Sequence, residues 1–371
     1  MKILFLLNGH LKGLSGGDQH GIQLANYLSS KNLSVSVCMP KGTYEDNLDK
    51  KITTITYLKL PFEDCLYNIS ALLFIIYLYR VICTLFLLHK QKFDISISTS
   101  HFFYDSIIPL FLTFKKNVVY IYHITSDQRR TGNLEKLKGM LEKITFKLIK
   151  LTKPIIFVDN SQVKKSLIEN YSFNKNDIHL TKNGIDINAE KKVSSQKKIF
   201  DLSYCGRICK NKGIFDLVDM IEKIKNTNNP NIKAVIIGDG PEKNNILKKI
   251  KSKHLQKNIK ITGYVSNIDK FKYLKASKIF AFPSHEEGWG IAIGEALSCN
   301  LPVIAFRLEE IIPIWKNNIA YIECFNEDLF VKKIENYLNY PPTLSKKLTT
   351  FLNSLGWDNI LKKEMHLINT Q

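Results

Sequence analysis

The sequence predicts an α/β protein built from two Rossmann-like domains, each with a doubly wound parallel sheet. Short β-branched runs alternate with longer helical patterns along most of the chain, which is typical of parallel strands joined by crossover helices. The alternation stops at 188–199, a polar stretch rich in Lys and Ser, and then restarts. The chain has 371 residues, which is too long for one ordinary core and sufficient for two.

The order of strands and helices sets the predicted domain boundaries. We predict a first domain at 1–187, a linker at 188–199, a second domain at 200–350 and a C-terminal helix at 351–371 that packs back on the first domain. Ligands of such proteins bind at the carboxyl ends of the strands, so we expect the site in a cleft between the domains. The predicted strands are 2–7, 34–39, 52–58, 95–98, 118–122, 155–158, 202–205, 234–237, 259–262, 279–282 and 303–305, with helical patterns such as 19–30 and 136–151 between them.

The charge balance restricts the class of partner. The net charge of +19 attracts anions, which include nucleic acid, acidic lipid headgroups and phosphorylated substrates. Charge alone does not choose among them. A basic nucleic-acid-binding protein stays an alternative, although the sequence lacks the zinc spacings and aromatic platforms typical of such modules.

Cysteine usage and the amino-terminal residues indicate the compartment. The seven cysteines are scattered, and their spacing completes neither a disulfide framework nor a zinc site, which predicts a reducing, cytoplasmic environment. The apolar run 3–7 is too short for the core of a signal peptide and is followed at once by Asn8. We therefore expect this run to be a buried first strand.

The segment 71–88 is apolar and long enough to span a bilayer, except for Arg80 near its middle. An arginine there costs about 2.5–3.5 kcal/mol on insertion scales. A span would also separate strands that must share one sheet. We predict a helix that is buried in the protein or lies in a membrane interface.

A second segment, 129–153, combines basic and apolar residues at a helical period. This composition is typical of an interfacial helix attracted to anionic lipid, and equally of a surface helix that packs on its own domain. Together with 71–88 it suggests a protein that is peripheral on the inner face of the cytoplasmic membrane. The basic residues are Arg129, Arg130, Lys136, Lys138, Lys143, Lys147, Lys150 and Lys153, and the apolar ones are Leu137, Leu141, Ile144, Leu148 and Leu151.

Two strand-to-helix loops carry residues suited to anions. Gly16 and Gly17 stand just before the predicted helix 19–30, where backbone N–H groups can approach a phosphate, although a plain turn capped by Ser15 or Asp18 is an equal alternative. In the second domain, Arg207 and Lys212 lie between a strand and a helix, where both could reach a diphosphate. A solvated pair of basic residues is the alternative there.

Two glutamates eight residues apart, Glu287 and Glu295, follow the strand 279–282. A carboxylate can accept two hydrogen bonds from a vicinal diol such as ribose or a sugar. Glutamates near the start of a helix also interact favourably with its dipole, which is the structural alternative.

The order and spacing of these motifs resemble the GT4 family of GT-B glycosyltransferases over nearly the whole chain. The resemblance begins at Gly16-Gly17 and Leu24-Ala25 and ends with the Glu-x7-Glu signature at Glu287 and Glu295. Between them lie Asn183-Gly184-Ile185-Asp186, Gly-Arg-x5-Gly at 206–213 and Gly-Asp-Gly-Pro at 238–241; Leu301-Pro302-Val303 follows the signature.

The resemblance implies roles for particular residues. Arg207 and Lys212 would neutralise the donor diphosphate, Glu287 would hold the donor sugar, and His123 would face the reacting sugar, with His101 as its competitor. Metal and other cofactors would not be needed. The residues expected to be catalytic are Arg207, Lys212, His123 and Glu287, and those expected to bind the donor are Gly16, Gly17, Gly206, Gly240, Val265, Gly288, Trp289, Gly290 and, on the ribose, Glu295.

The predicted function is therefore a retaining, metal-independent transfer of a sugar from a UDP- or GDP-sugar to a hydroxyl of a saccharide or lipid-linked acceptor. Surface polysaccharide, lipopolysaccharide or glycolipid synthesis is the expected context. A GT-B nucleotide-sugar epimerase and a glycogen-synthase-like polymerase are the alternatives within this fold. Two departures from the family pattern, Gln19 and the segment 302–311, leave the identity of the sugar open.

Overall fold

The computed structural model describes residues 1–9, 16–60, 70–124, 132–227 and 229–370. These divide into two compact units, Met1–Asn183 with Ile360–Gln371, and Gly184–Asn359. The division falls four residues before the predicted end of the first domain. Part of the predicted linker is helical and belongs to the second unit, because Ile187 and Val193 are buried there and anchor it.

The first unit contains a parallel seven-stranded sheet in the order β3-β2-β1-β4-β5-β6-β7. The strands are β1 (Lys2–Leu6), β2 (Ser34–Pro40), β3 (Thr53–Tyr57), β4 (Ile95–Ser98), β5 (Lys116–Ile121), β6 (Ile155–Val158) and β7 (Ile178–Leu180). The helices are α1 (Gly16–Ser30), α2 (Ser70–Leu88), α3 (Phe103–Ser106), α4 (Gly132–Leu151) and α5 (Ser161–Glu169).

The second unit contains a parallel six-stranded sheet in the order β10-β9-β8-β11-β12-β13. The strands are β8 (Phe200–Cys205), β9 (Ala234–Ile237), β10 (Ile259–Ile261), β11 (Ser277–Phe282), β12 (Val303–Phe306) and β13 (Ala320–Ile322). The helices are α6 (Ile187–Lys191), α7 (Ile214–Thr227), α8 (Lys243–Ser252), α9 (Asn267–Lys275), α10 (Ile291–Ser298), α11 (Ile312–Trp315), α12 (Glu327–Asn339) and α13 (Lys346–Ser354), and α14 (Trp357–Thr370) continues into the first unit.

The predicted pair of doubly wound parallel sheets is confirmed. Two short edge strands, β7 and β13, were not predicted. In each sheet the strand order reverses once, between β1 and β4 and between β8 and β11. Open α/β sheets bind ligands at such a switch point, outside the carboxyl ends of the strands.

The apolar segment 71–88 forms most of α2, which has one buried and one exposed face. Leu73 and Ile76 pack into the core, and Arg80 is fully buried with them. Among the described residues, none of the helices combines the length and the apolar character that crossing a bilayer requires. The exposed face carries large apolar side chains at Phe74, Ile75, Leu78, Ile82 and Phe86.

The basic segment 129–153 forms α4, apart from its first residues. Leu141 is buried, and Leu137 and Leu148 pack partly into the same core as α2, so these residues behave as those of an ordinary surface helix. Ile144 and Leu151 are exposed. The predicted contributions of Arg129 and Arg130 lie outside the described residues.

Candidate functional site

The loops that follow β8, β9, β10 and β11 all emerge at the carboxyl edge of the second sheet. Close backbone contacts hold them together. Gly213 has a φ of +62°, and a Cβ atom on it would lie 1.7 Å from the carbonyl oxygen of Pro283. Only glycine fits there, so the loop after β8 lies directly against the loop after β11. This contact brings Arg207 and Lys212 to the segment that holds the two glutamates.

Lys212 and Glu287 form an ion pair in this second unit. The Nζ atom of Lys212 lies 2.5 Å from Oε1 of Glu287 and donates a second hydrogen bond to the carbonyl oxygen of Glu286 at 2.9 Å. The two side chains are 23% and 18% exposed, so the pair is accessible to a ligand. The predicted cation and the predicted sugar-binding carboxylate are therefore neighbours.

Glu295 is the fifth residue of α10 and is buried. Its Oε1 atom lies 2.6 Å from Nζ of Lys270, which is the fourth residue of α9. Burial lowers the pKa of Lys270, but the Glu295 carboxylate and smaller contributions from Cys205 and Asp186 together raise it by more, so the net pKa is raised. The lysine is therefore charged. Sequence analysis missed Lys270, since the only signal was one lysine beside an apolar residue of α9.

Arg207 lies two residues beyond the end of β8 and is exposed. Within the described part of the chain its guanidinium takes part in no ion pair, in contrast to Lys212. Gly206 and Gly240 line the adjacent loops, and a Cβ atom on Gly240 would lie 2.3 Å from the carbonyl oxygen of Ile208. Val265 is half-buried in the loop between β10 and α9.

Trp289 is one of the predicted donor-binding residues, in the segment 288–290 whose backbone amides were expected to assist. Its ring is buried and packs edge-on against Trp315 at 4.9 Å, and the Trp315 indole N–H donates to the Trp289 carbonyl oxygen at 2.9 Å. A large aromatic ring gains more from this apolar contact than from solvent. The neighbouring Gly288 is half-buried and Gly290 is buried, at the start of α10.

A further pair supports the same loops. Nε2 of His285 lies 2.5 Å from Oδ2 of Asp216 on α7, and the His285 backbone N–H donates to the carbonyl oxygen of Asn211 at 2.9 Å. His285 is thus bonded to the loop that carries Lys212, and it immediately precedes Glu286 and Glu287. Sequence analysis missed this pair because its members are 69 residues apart.

At the switch point of the first sheet lies a buried polar cluster centred on Asn8. Its N–H donates to Oδ1 of Asp105 at 2.9 Å, and its carbonyl oxygen accepts from Nη1 of Arg80 at 2.5 Å. Its side chain accepts from the Tyr57 hydroxyl at 2.9 Å and donates to the Tyr104 carbonyl oxygen at 3.3 Å. Burial raises the pKa of Asp105 to about 7.

A second buried network in the first unit centres on His20 of α1 and Glu364 of α14. Nε2 of His20 lies 2.9 Å from Oε2 of Glu364, which also accepts from the Tyr120 hydroxyl at 2.8 Å. The Thr181 hydroxyl donates to the other carboxylate oxygen. Burial lowers the pKa of His20, but the Glu364 carboxylate, with Asn183 and Asp159, raises it by more in total, so the net pKa is raised. The network ties the C-terminal helix to α1 and β5.

Gly16 and Gly17 lie in the first turn of α1 and not in a loop before it, so the predicted helix starts three residues too late. A Cβ atom on Gly17 would lie 2.8 Å from the Tyr122 ring, which brings the start of α1 against the end of β5. His123, the next residue after Tyr122, is half-buried there. The proposed Ser15 cap lies outside the described residues.

His101, the competitor of His123, is buried. Its Nε2 atom lies 3.3 Å from Oε2 of Glu142, and its ring stacks on Phe146 at 5.3 Å. These contacts are those of a packed structural histidine. Across the described ranges, no three His, Cys, Asp or Glu side chains are grouped so that they could hold a metal ion.

Comparison with known proteins finds a family model for the second unit. Residues 186–350 match the model described as "Glycosyl transferases group 1". This part of the chain is therefore similar to that family. The GT4 resemblance is consistent with it, and the matched residues contain every candidate site residue of the second unit.

Two similar glycosyltransferases match over different lengths. An uncharacterised glycosyltransferase of Methanocaldococcus jannaschii is 31% identical over 54% of this chain, which spans about half of that protein (52%). The capsular polysaccharide biosynthesis glycosyltransferase CapH of Staphylococcus aureus is 28% identical over 73% of this chain and 71% of its own length.

Among solved structures, HepE of Anabaena in complex with UDP and glucose superimposes with a TM-score of 0.78, at 16% identity, over 100% of both chains. At this identity the likeness shows the fold alone, which is two Rossmann-like domains of the GT-B class.

Proposed function

We propose that this chain is a retaining, metal-independent glycosyltransferase that moves a sugar from a UDP- or GDP-sugar to a hydroxyl acceptor. The arrangement of charge at the second switch point carries the proposal. The loops at this edge carry exposed Arg207 together with the Lys212–Glu287 and Lys270–Glu295 pairs. A nucleotide diphosphate needs cations for its phosphates and acceptors for its hydroxyl groups, and this edge offers both.

Arg207 and Lys212 take the diphosphate in this proposal. The guanidinium of Arg207 is not engaged in an ion pair within the described residues, so a phosphate can bind it without displacing a carboxylate. Lys212 exchanges part of its contact with Glu287 for a phosphate oxygen. Glu287 is then released to accept hydrogen bonds from the donor sugar, and Glu295 accepts them from the ribose.

Catalysis then consists mainly of stabilising the negative charge that develops on the leaving diphosphate. Glu287 and Glu295 each pair with a lysine and are assigned to binding, so neither is a nucleophile. We propose front-face attack with retention, in which the departing phosphate accepts the proton of the acceptor hydroxyl. The two cations take the place of a metal ion. His123 is proposed to face the reacting sugar.

The name of CapH supports surface polysaccharide as the product class, and the HepE complex supports a UDP-sugar as the donor. The test is a panel of UDP- and GDP-sugars in a thermal-shift assay, because a bound donor raises the melting temperature by mass action. The stabilising donor is then incubated with and without a lipid-linked saccharide acceptor. Transfer of sugar with retained anomeric configuration, unchanged by EDTA, supports the proposal.

Other outcomes of these assays contradict parts of the proposal. Inversion contradicts front-face attack, and loss of turnover in EDTA contradicts metal independence. Epimerised sugar nucleotide in the absence of acceptor would establish the alternative enzyme class.

In this proposal the first unit binds the acceptor and docks on an anionic lipid surface. Phe74, Leu78, Ile82 and Phe86 recur every fourth residue along α2 and are 42–73% exposed, and we call them the α2 stripe. Helix α4 packs against α2 and carries exposed lysines, including Lys143 and Lys147. An apolar stripe beside cations suits the interface of a membrane with acidic headgroups.

Vesicle flotation tests this surface. The unmodified chain is expected to float with vesicles that contain phosphatidylglycerol and to stay behind with phosphatidylcholine alone. K143E/K147E is expected to lose most of the binding. K248E/K251E, which makes the same charge change on exposed lysines of α8, is the matched control and is expected to keep it. An equal loss of binding in both variants would mean that the vesicles respond only to the net charge of the protein. That result would contradict the proposed surface.

A further inference from the structure

The Lys270–Glu295 pair lies beside the last residue of β8. Its side chains are 12% and 4% exposed, which makes it more buried than the Lys212–Glu287 pair. The charges of Lys270 and Glu295 both act on the thiol of Cys205, the last residue of β8. Helix α9 follows β10 and helix α10 follows β11, so the pair joins two helices that begin at the carboxyl edge of the second sheet.

We propose that Lys270 is a positioning residue that holds Glu295 so that its second carboxylate oxygen is presented to the ribose diol of the donor. This inference rests on the proposed function, which places the nucleotide at this edge. Lys270 occupies Oε1 of Glu295 at 2.6 Å. Within the described ranges, Oε2 receives no hydrogen bond from the protein.

Oε2 of Glu295 is not among the buried polar atoms that lack a partner, so this oxygen can be reached by a ligand that brings hydrogen-bond donors. The vicinal hydroxyl groups of a ribose supply such donors. The bond from Lys270 to Oε1 fixes the plane of the carboxylate and hence the direction in which Oε2 accepts. This arrangement reduces the side-chain entropy that binding would otherwise remove.

The charge of Lys270 has a second consequence. An unpaired Glu295 beside the diphosphate would repel it, because both are anions in a poorly solvated place. With Lys270 present the carboxylate is neutralised, and the charge of Arg207 remains for the phosphates. Lys270 thus allows a carboxylate to serve a diol close to a diphosphate.

Helix α9 contains a matched control. Lys275 lies five residues beyond Lys270 on the same helix and pairs with Glu190 at 2.6 Å. The side chains of Lys275 and Glu190 are 16% and 14% exposed. The Nζ atom of Lys275 also donates to the carbonyl oxygen of Val193 at 2.5 Å. This pair lies at the far end of α9 and anchors the segment after α6. Removing Lys275 therefore disturbs the same helix in the same way without touching Glu295.

The experiment measures the affinity of the full chain for UDP and GDP and for the 2′,3′-dideoxy analogue of each, by titration calorimetry. The unmodified chain is expected to prefer the ribose form by about tenfold or more, since hydrogen bonds to a charged group are involved. K270M is expected to reduce this preference to about threefold or less, and K275M to preserve it. K270R, which keeps a cation, is expected to restore part of it.

A structural role alone would weaken binding of both nucleotide forms equally in K270M. That outcome, or an equal loss of preference in K275M, overturns the proposal. If K270M has no cooperative melt, K270Q carries the same test, because glutamine keeps an N–H donor without the charge. An unmodified chain that binds neither UDP nor GDP overturns the proposed function, and this inference with it; binding without dependence on Lys270 overturns only the inference.

Discussion

The switch points of the two sheets are built from opposite kinds of polar group. At the first, Arg80, Asn8 and Asp105 are buried and bonded to one another. At the second, Arg207 is exposed, and Lys212 and Glu287 form a partly exposed pair. A buried group that is satisfied inside the protein fixes the backbone, whereas an accessible charge remains available to a ligand.

This difference assigns different tasks to the two edges. The Asn8 cluster holds the residue that leaves β1, and every hydrogen-bonding group of Asn8 takes part in it. The second edge instead holds its loops together by backbone contacts at glycine, such as that of Gly213 with Pro283. Its Arg207 side chain and the Lys212–Glu287 pair remain accessible to a ligand. Substitutions should therefore lower stability at the first edge and activity at the second.

The largest expected effect is on turnover, at Arg207. R207A should lower kcat/KM by about a thousandfold, roughly 4 kcal/mol, because a charge that stabilises the leaving diphosphate is lost. The melting temperature should not change, since the side chain is exposed. K210A, on an exposed lysine of the same loop, is the control and should keep its activity. Unchanged turnover in R207A would contradict the assignment of this edge to the diphosphate.

The next effect is on stability, at Arg80. R80M leaves the carbonyl oxygen of Asn8 without its donor and Asp105 without the nearby cation, in a fully buried place. We expect a loss of about 3 kcal/mol, or about 6–12 °C in the melting temperature. R80K, which keeps the charge, should lose less.

The R80M variant should keep its turnover within about tenfold when assayed well below its melting temperature, because the hydrogen bonds that it loses are buried and structural. A thousandfold loss of turnover in R80M with an unchanged melting temperature would contradict the assignment of stability to the first edge and activity to the second.

The sequence predicted the second edge better than the first, for a physical reason. Glycines and charges in strand-to-helix loops stand out locally, so Arg207, Lys212, Glu287 and Glu295 could be singled out as candidates from the sequence. Lys270 and His285 were missed because tertiary packing, not local pattern, brings them to their partners.

At the first edge the relevant groups come from distant parts of the chain, and no short motif joins them. In the sequence, Arg80 was considered only because it makes membrane insertion unfavourable. In the structure it donates a hydrogen bond to the carbonyl oxygen of Asn8, just beyond the end of β1. The strands themselves were predictable to within a few residues, because buried parallel strands are continuous apolar runs. The three-residue edge strands β7 and β13 were not.

A smaller effect depends on pH. Burial raises the pKa of Asp105 to about 7, against about 3.9 in an unfolded chain. Between these values the folded state binds more protons than the unfolded state, so this group makes the protein less stable as pH rises through the window. The asparagine of D105N has no carboxyl group to ionise, so this variant does not lose stability as the pH rises through the window.

The stability of D105N relative to the unmodified chain should therefore improve between about pH 5 and about pH 8, by roughly 2.5 kcal/mol. Melting temperatures of both proteins at the two pH values measure it. At the second edge, hydrogen bonding by Lys243 lowers the pKa of Asp239, so D239N should show almost no change over the same window. A flat difference for D105N would mean that Asp105 is ionised throughout and that its burial is offset by Arg80.

The smallest expected effect is at His285, which supports the second edge from behind. H285N shortens the side chain and removes its contact with Asp216. The loop that carries Glu287 then loses one of its attachments to α7, and we expect KM for the donor to rise about fivefold, or about 1 kcal/mol, with kcat nearly unchanged. H254N, on an exposed histidine of the same unit whose φ of +53° asparagine tolerates, is the matched control. A fall in kcat as large as that of R207A would instead place His285 among the groups that contact the reacting sugar, and the second edge would then extend to the pair with Asp216.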